Sequence, residues 1–220
     1  MPREAIVNYK REICVFINCP YDPDYLPLFN AAVFTIVCCG LIPICALTKN
    51  DPAISRLDRI IDLISDAKYS IHDLCRCYGQ GQQNFARLNM PLELGITIGL
   101  SSTSNSQAAD GQVDPHRWAL LVKETDSKDH EKFVSDLKSS DPPGHKETPE
   151  TIISAIMNII VTGYELSVDF RPSDVFRSLA AYERRLQQER EAWLGGTIPW
   201  ENTVKLALEI AQTEGLIPVG

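Results

Sequence analysis

The chain has 220 residues, 44% of them hydrophobic and 23% charged, with a net charge of −8 and a pI near 5.0. That is enough apolar material for a full core and room for one domain plus an appendage. The acidic balance excludes a general nucleic-acid binder, which would carry a basic face.

The first eleven residues are charged at Arg3, Glu4, Lys10 and Arg11 and hold no signal-peptide core. Residues 13–17 (Ile-Cys-Val-Phe-Ile) form a β-branched apolar run that predicts a buried parallel strand, closed by Asn18-Cys19-Pro20 and an acidic turn. Residues 25–39 have helical spacing, with Gly40 as a natural stop. A second buried strand is predicted over 41–47. The apolar run through 31–47 is broken by Gly40 and Pro43, and no run reaches the ~18–20 residues of a membrane span. The expected location is therefore cytoplasmic, with no membrane partner.

Residues 54–64 carry apolar positions 54, 57, 60, 61 and 64, an amphipathic helix. A third strand over 67–74 ends in Asp73, where α/β sheets place ligand-facing groups. A Gly/Gln loop follows, then Arg87-Leu88-Asn89-Met90-Pro91, with Pro91 at the first turn of a helix continuing over 92–100. Residues 101–115 read as a polar linker, 118–122 as a fourth strand, 130–137 as a short helix and 141–144 as a loop. A helix starts at Thr148-Pro149-Glu150 and runs through Ile160. The alternation predicts an α/β parallel sheet with helices on both faces. The character changes after Gly163. A charged helix over 180–193 and a last helix over 200–214 make a helical extension, divided from the domain at 163/164, which either packs on the domain or mediates self-association.

Seven cysteines, at 14, 19, 38, 39, 45, 75 and 77, lie mostly in apolar runs and read as reduced, buried thiols. Cys75-Arg76-Cys77 lacks a second pair at metal spacing, so no metal is expected. No G-x-G-x-x-G, Walker A or G-x-S-x-G sequence occurs.

The working site is expected between Ser70 and Gly95, centred on Asp73 and Glu93. One carboxylate ends a strand and the other opens the next helix, so both are expected at one crevice. Paired carboxylates suit cleavage of a glycosidic bond, one stabilising or trapping the sugar cation and the other acting as acid, base or orienter. The plain alternative is a turn cap at Asp73 and a Glu93 favoured by the helix dipole. Apolar neighbours of Glu93 predict a raised pKa. Gly95 and Gly99 inside the helix suit close approach by a strand or ligand. His72 points away from Asp73 on a strand and reads as packing. Arg76 and Arg87 are placed to hold a phosphate, or are solvated loop residues. Asn18, Tyr21 and Asp22 are expected at the crevice mouth.

The segments Val15-Phe16-Ile17-Asn18-Cys19-Pro20 with Asp22, Tyr69-Ser70-Ile71-His72-Asp73-Leu74, and Arg87-Leu88-Asn89-Met90-Pro91-Leu92-Glu93-Leu94-Gly95 resemble a bacterial group of TIR-like (Toll/interleukin-1-receptor-like) proteins, related in fold to nucleoside 2-deoxyribosyltransferases. The likeness spans about residues 12–162. It implies a flavodoxin-like fold and a catalytic Glu at position 93, with Asp73 as the strand-end acid. It implies cleavage of the nicotinamide–ribose bond of NAD or cyclisation of the product, with NAD as substrate and no cofactor. Asn89 would orient ribose or base. It also implies self-association and a part in antiphage defence, with a defence-system partner. The rival expectation is a nucleotide-sensing or protein-interaction module without turnover.

Overall fold

The computed structural model describes residues 9–48, 53–76, 89–109, 114–124, 137 and 141–218, with the side chains of 104–109 excepted. Five strands, β1 (Cys14–Asn18), β2 (Ile42–Cys45), β3 (Tyr69–Asp73), β4 (Arg117–Lys123) and β5 (Gly144–His145), form one all-parallel sheet in the order 2-1-3-4-5. The parallel sheet is the one the alternation of elements predicts, and its order is the flavodoxin-like one that the resemblance implies. Every residue of β1, β2 and β3 is buried, which is why residues 14–17 and 42–45 are apolar without alternation, while β3 buries Ser70, His72 and Asp73 as well.

Helix α1 (Leu26–Cys38) ends in a left-handed glycine. Gly40 has φ of 76°, and the Leu41 and Gly40 N–H groups bond back to Ile36 O at 3.1 Å and Val37 O at 2.9 Å. That pairing satisfies the last carbonyls and turns the chain into β2. Helix α2 (Arg56–Ser65) is capped by Ser55, whose Oγ accepts from the Asp58 N–H at 3.5 Å, and buries Ile60, Leu63 and Ile64. Helix α3 (Asn89–Ala109) continues through residues expected to be a linker. No proline interrupts it before position 115. Two of its hydroxyls fold back onto the backbone, Thr97 onto Glu93 O (3.0 Å) and Thr103 onto Gly99 O (3.1 Å), while Ser101 donates to His116 O (2.9 Å).

The expected loop before Thr148 contains β5, a two-residue strand on the edge of β4. The helix expected over 130–137 lies outside the described residues except for Leu137. Helix α4 (Pro149–Asn158) runs into a π-helical turn (Ile159–Gly163). Helix α5 (Pro172–Ala192) starts eight residues before the expected 180, because Pro172 opens it and the Asp174 carboxylate caps the Arg171 N–H at 2.9 Å. Helix α6 (Trp200–Thr213) closes the chain.

Residues beyond 163 share one hydrophobic core with the sheet. Tyr182 stacks on Phe34 of α1 with centroids 5.1 Å apart, and Trp200 packs on Phe29 at 5.8 Å. The Trp200 indole N–H donates to Pro43 O in the edge strand β2 at 3.2 Å. Helix α1 is therefore enclosed between the sheet and a further helical layer. No helix among the described residues is long and apolar enough to cross a membrane.

Candidate functional site at the carboxyl edge of the sheet

In the order 2-1-3-4-5 the chain leaves β1 towards β2 on one side and arrives at β3 on the other, so the crevice lies outside the carboxyl ends of β1 and β3. Asn18, the last residue of β1 and 2% exposed, stands at that point. Its side-chain amide donates to Met90 O in the first turn of α3 (2.9 Å) and to His72 Nδ1 (3.0 Å). An amide N–H cannot accept, so His72 Nδ1 is the acceptor and Nε2 carries the proton. That proton goes to Ser70 Oγ at 3.1 Å, the Ser70 hydroxyl donates to His116 Nε2 at 2.9 Å, and His116 Nδ1–H donates to Ala67 O at 2.9 Å. Every link has one direction, and both imidazoles are neutral. Burial lowers His72 to about 3, helped by the neighbouring His116, and lowers His116 to about 4. His72 is packing, as alternation predicts.

Glu93 lies on α3 one turn beyond this anchor. The helix starts no later than Asn89, so Glu93 is its fifth residue or later and lies past the turn where the helix dipole acts most strongly. It lines a cleft of about 220 Å³ between α2 and α3, with Arg56, Leu57, Ile60, Asn89 and Leu92. The residue is 8% exposed, and among the described residues no hydrogen bond or ion pair holds its carboxyl group. Burial pushes that group up to about 7, with Arg56 pulling weakly the other way. No strand among the described residues approaches Gly95 or Gly99 closely. A methyl group at either would meet nothing within 4 Å.

Asp73 is not in this cleft. Side chains alternate along β3, so Ser70 and His72 face α3 while Tyr69, Ile71 and Asp73 face the α1 side. The Asp73 carboxylate is 2% exposed. It accepts from the Tyr25 hydroxyl through a short hydrogen bond and from the Cys75 N–H at 2.8 Å, and His145 Nε2 lies 3.0 Å from Oδ2. Burial alone would raise its pKa, but the contacts from His145, Tyr25 and Cys75 outweigh that and hold it below the ordinary value.

Asp73, Cys75 and His145 place three possible metal-ligand atoms within 4.8 Å of one another. The His145 tautomer opposes such use. Its Nδ1 accepts the Glu147 N–H at 3.1 Å, so the proton sits on Nε2, the atom a metal would need. A metal-bound imidazole donates from its other nitrogen, and here that nitrogen faces a donor. Burial also drives the Cys75 thiol well above its ordinary value. The cluster is a hydrogen-bonded hub.

Arg76 belongs to the same hub. It lies 3.3 Å from Asp22 Oδ2 and 3.7 Å from Glu147 Oε1, with its guanidinium 5.6 Å from the centre of the Tyr25 ring. Glu147 is held in turn by Lys123 at 2.6 Å. Arg76 and Asp22 thus spend their charge on one another rather than on the crevice. Tyr21 is 40% exposed and rests edge-on against Phe29. Arg87 and Cys77 lie outside the described residues. The remaining six cysteines are free thiols, five of them buried.

The fold thus brings Asn18, Asn89 and Glu93 to the α3 side and gathers Asp22, Asp73 and Arg76 on the other. Sequence reasoning gives Arg56, Tyr25 and His145 no role at the site. The one signal for Arg56 was a cation at the start of a helix, where cations are disfavoured. Comparison with known proteins finds no matching family model, no matching curated protein and no matching solved structure.

Proposed function

We propose that the α2–α3 cleft takes a nucleotide and that Glu93 acts at its ribosyl centre, which makes the chain a TIR-like N-glycosidase for NAD or a related nucleotide. The observation that carries this reading is a carboxyl group more than nine-tenths buried, without a protein partner among the described residues, at the switch point of a flavodoxin-like sheet. The residues quoted above for the resemblance support it independently of the geometry.

In the reaction the bond from C1′ to the base nitrogen breaks and its electron pair leaves with the base. The Glu93 carboxylate stabilises or attacks the cationic C1′. Water then bonds to C1′ and gives up a proton, or a hydroxyl of the same molecule closes a ring. Asn89, one turn before Glu93, orients the ribose, and the Asn18 anchor on Met90 O fixes the helix turn between them. Asp73, on the other face, supports the loops rather than the sugar. The cleft volume is below the roughly 300–1,000 Å³ of pockets that enclose a whole ligand, and suits one nucleoside unit with its phosphates at the rim. Self-association and a role in antiphage defence extend the same reading and rest on the resemblance, while cytoplasmic location rests on the sequence's lack of a signal-peptide core and of a membrane-length apolar run.

Incubation with NAD and related nucleotides, followed by chromatography, tests the proposal. Wild type should release free base, and Glu93→Gln should lose about 100-fold or more of that activity. No consumption of any nucleotide by concentrated wild type defeats the enzyme reading, and full activity in Glu93→Gln defeats the site.

One observation favours a second reading. With Asp73 turned away, Glu93 is the one carboxylate among the described residues that lines the cleft, which suits a sensor that binds a nucleotide without cleaving it. Tight binding of an intact nucleotide, with a change in oligomer size by light scattering, would favour that reading.

A further inference from the structure

We infer that Arg56 is the residue that selects a phosphate-bearing ligand over the bare nucleoside in the α2–α3 cleft. The inference rests on the nucleotide reading of that cleft and names the group that recognises its charge.

Three observations carry it. Arg56 and Glu93 line the same cleft from opposite helices, and Arg56 is exposed at the rim while Glu93 is enclosed. No ion pair or hydrogen bond engages the Arg56 side chain among the described residues; in particular, Asp58 in the same helical turn is not paired with it. By contrast, Arg76 is held by Asp22 and Glu147, and Arg117 by Glu165 at 3.0 Å. Arg56 is also the first residue of α2, immediately after the Ser55 cap. A positive side chain there opposes the helix dipole, and the exposed N–H groups of that turn favour an anion. A cation kept at this position gains a partner once an anion arrives, which the guanidinium and the helix end then share.

The apolar side chains complete the assignment. Leu57, Ile60 and Leu92 line the same cleft, with Leu57 48% and Leu92 55% exposed. They offer an apolar surface to a flat base, while Glu93 and Asn89 sit one helical turn apart beside the sugar. Glu93 also lines the cleft, and among the described residues no hydrogen bond or ion pair holds its carboxyl group. A ligand with a base, a ribose and a phosphate meets all three kinds of surface. A nucleoside leaves Arg56 as it is now.

The test is calorimetric titration of wild type and Arg56→Gln with two matched pairs: AMP with adenosine, and nicotinamide mononucleotide with nicotinamide riboside. In wild type the phosphorylated member should bind about tenfold or more tightly at low salt, the usual worth of a charge-assisted contact, and the preference should fall as salt rises. Arg56→Gln should abolish the preference and leave nucleoside affinity unchanged, and Arg56→Lys should retain part of it. Because Arg56 is exposed and opposes the dipole, Arg56→Gln should melt no lower than wild type. If wild type prefers the nucleotide and Arg56→Gln keeps that preference, the Arg56 assignment falls while the cleft reading stands. If wild type binds neither member of either pair, the nucleotide reading fails and the inference with it.

Discussion

Glu93 is buried without a hydrogen-bond or ion-pair partner among the described residues, and that has a measurable cost. Its pKa is about 7 in the folded chain against 4.5 in the unfolded one. Below pH 4.5 both states carry the proton, and the group is neutral to stability. Between pH 4.5 and 7 the unfolded chain gives up a proton that the folded chain keeps, so stability falls as pH rises. Glu93→Gln removes the penalty while keeping the shape. The variant should melt a few degrees above wild type at pH 8 and level with it at pH 4, by differential scanning calorimetry. Equal melting at both pH values would show that the carboxyl group is solvated or paired. Placement of this residue was partly legible in the sequence, since apolar residues flank it on a helix. Its separation from Asp73 was only half legible. The alternation Ser70-Ile71-His72-Asp73 already sets His72 and Asp73 on opposite faces. What a single strand does not carry is which face α3 covers. Helix α3 packs on the His72 side, so Glu93 goes with the histidine and away from the aspartate. Arg56 was hidden for the same reason, because its meaning depends on how closely α2 approaches α3.

At the scale of elements, the chain from Asn18 through His72, Ser70 and His116 joins β1, β3, the start of β4 and the first turn of α3. It is also an acid-sensitive tie. The two imidazoles have pKa values of about 3 and 4 when folded and 6.5 when unfolded. As pH falls below 6.5 the unfolded chain gains protons that the folded chain refuses, so their contribution is lost progressively from pH 6.5 down to about 4 for His116 and about 3 for His72. Glu93 acts in the opposite sense over much of that range and masks the loss. The decline should therefore stand out in Glu93→Gln, whose melting temperature should drop steadily from pH 6.5 to 4.5. A flat profile in that variant would mean that the histidines titrate in the folded state. The element boundaries that sequence reading misplaced share one cause. Polar residues dominate 101–109 and open 172–179, yet no proline follows Pro91 within the first stretch, and Pro172 with the Asp174 cap starts the second, so both are helical. The two-residue β5 is set by its pairing to β4 rather than by its own residues, since Gly144 and His145 have no strand preference to read.

For the whole molecule, the helical extension decides whether the sheet domain can stand alone. Ten of the thirteen residues of α1 are buried, including Phe29, Phe34 and Val37, so the helix has no polar face to offer solvent. Its apolar residues have neighbours in the extension. Tyr182 and Val175 of α5, and Trp200, Val204 and Ala207 of α6, are each at most 6% exposed in the core shared with the sheet. An appendage used only for self-association would leave α1 amphipathic, and it is not. Trp200 is the sharpest probe, because it fills space against Phe29 and satisfies the Pro43 carbonyl on the edge strand. Trp200→Ala should cost about 3–5 kcal/mol through the cavity and the unpaired carbonyl. For a chain of this size that lowers the melting temperature by roughly 10 °C. Truncation after Gly163 should give an aggregating product that binds hydrophobic dyes, since it strips the cover from α1. A monomeric, cooperatively melting fragment ending at Gly163 would instead show that the sheet domain folds without the extension and leave those helices free for another task.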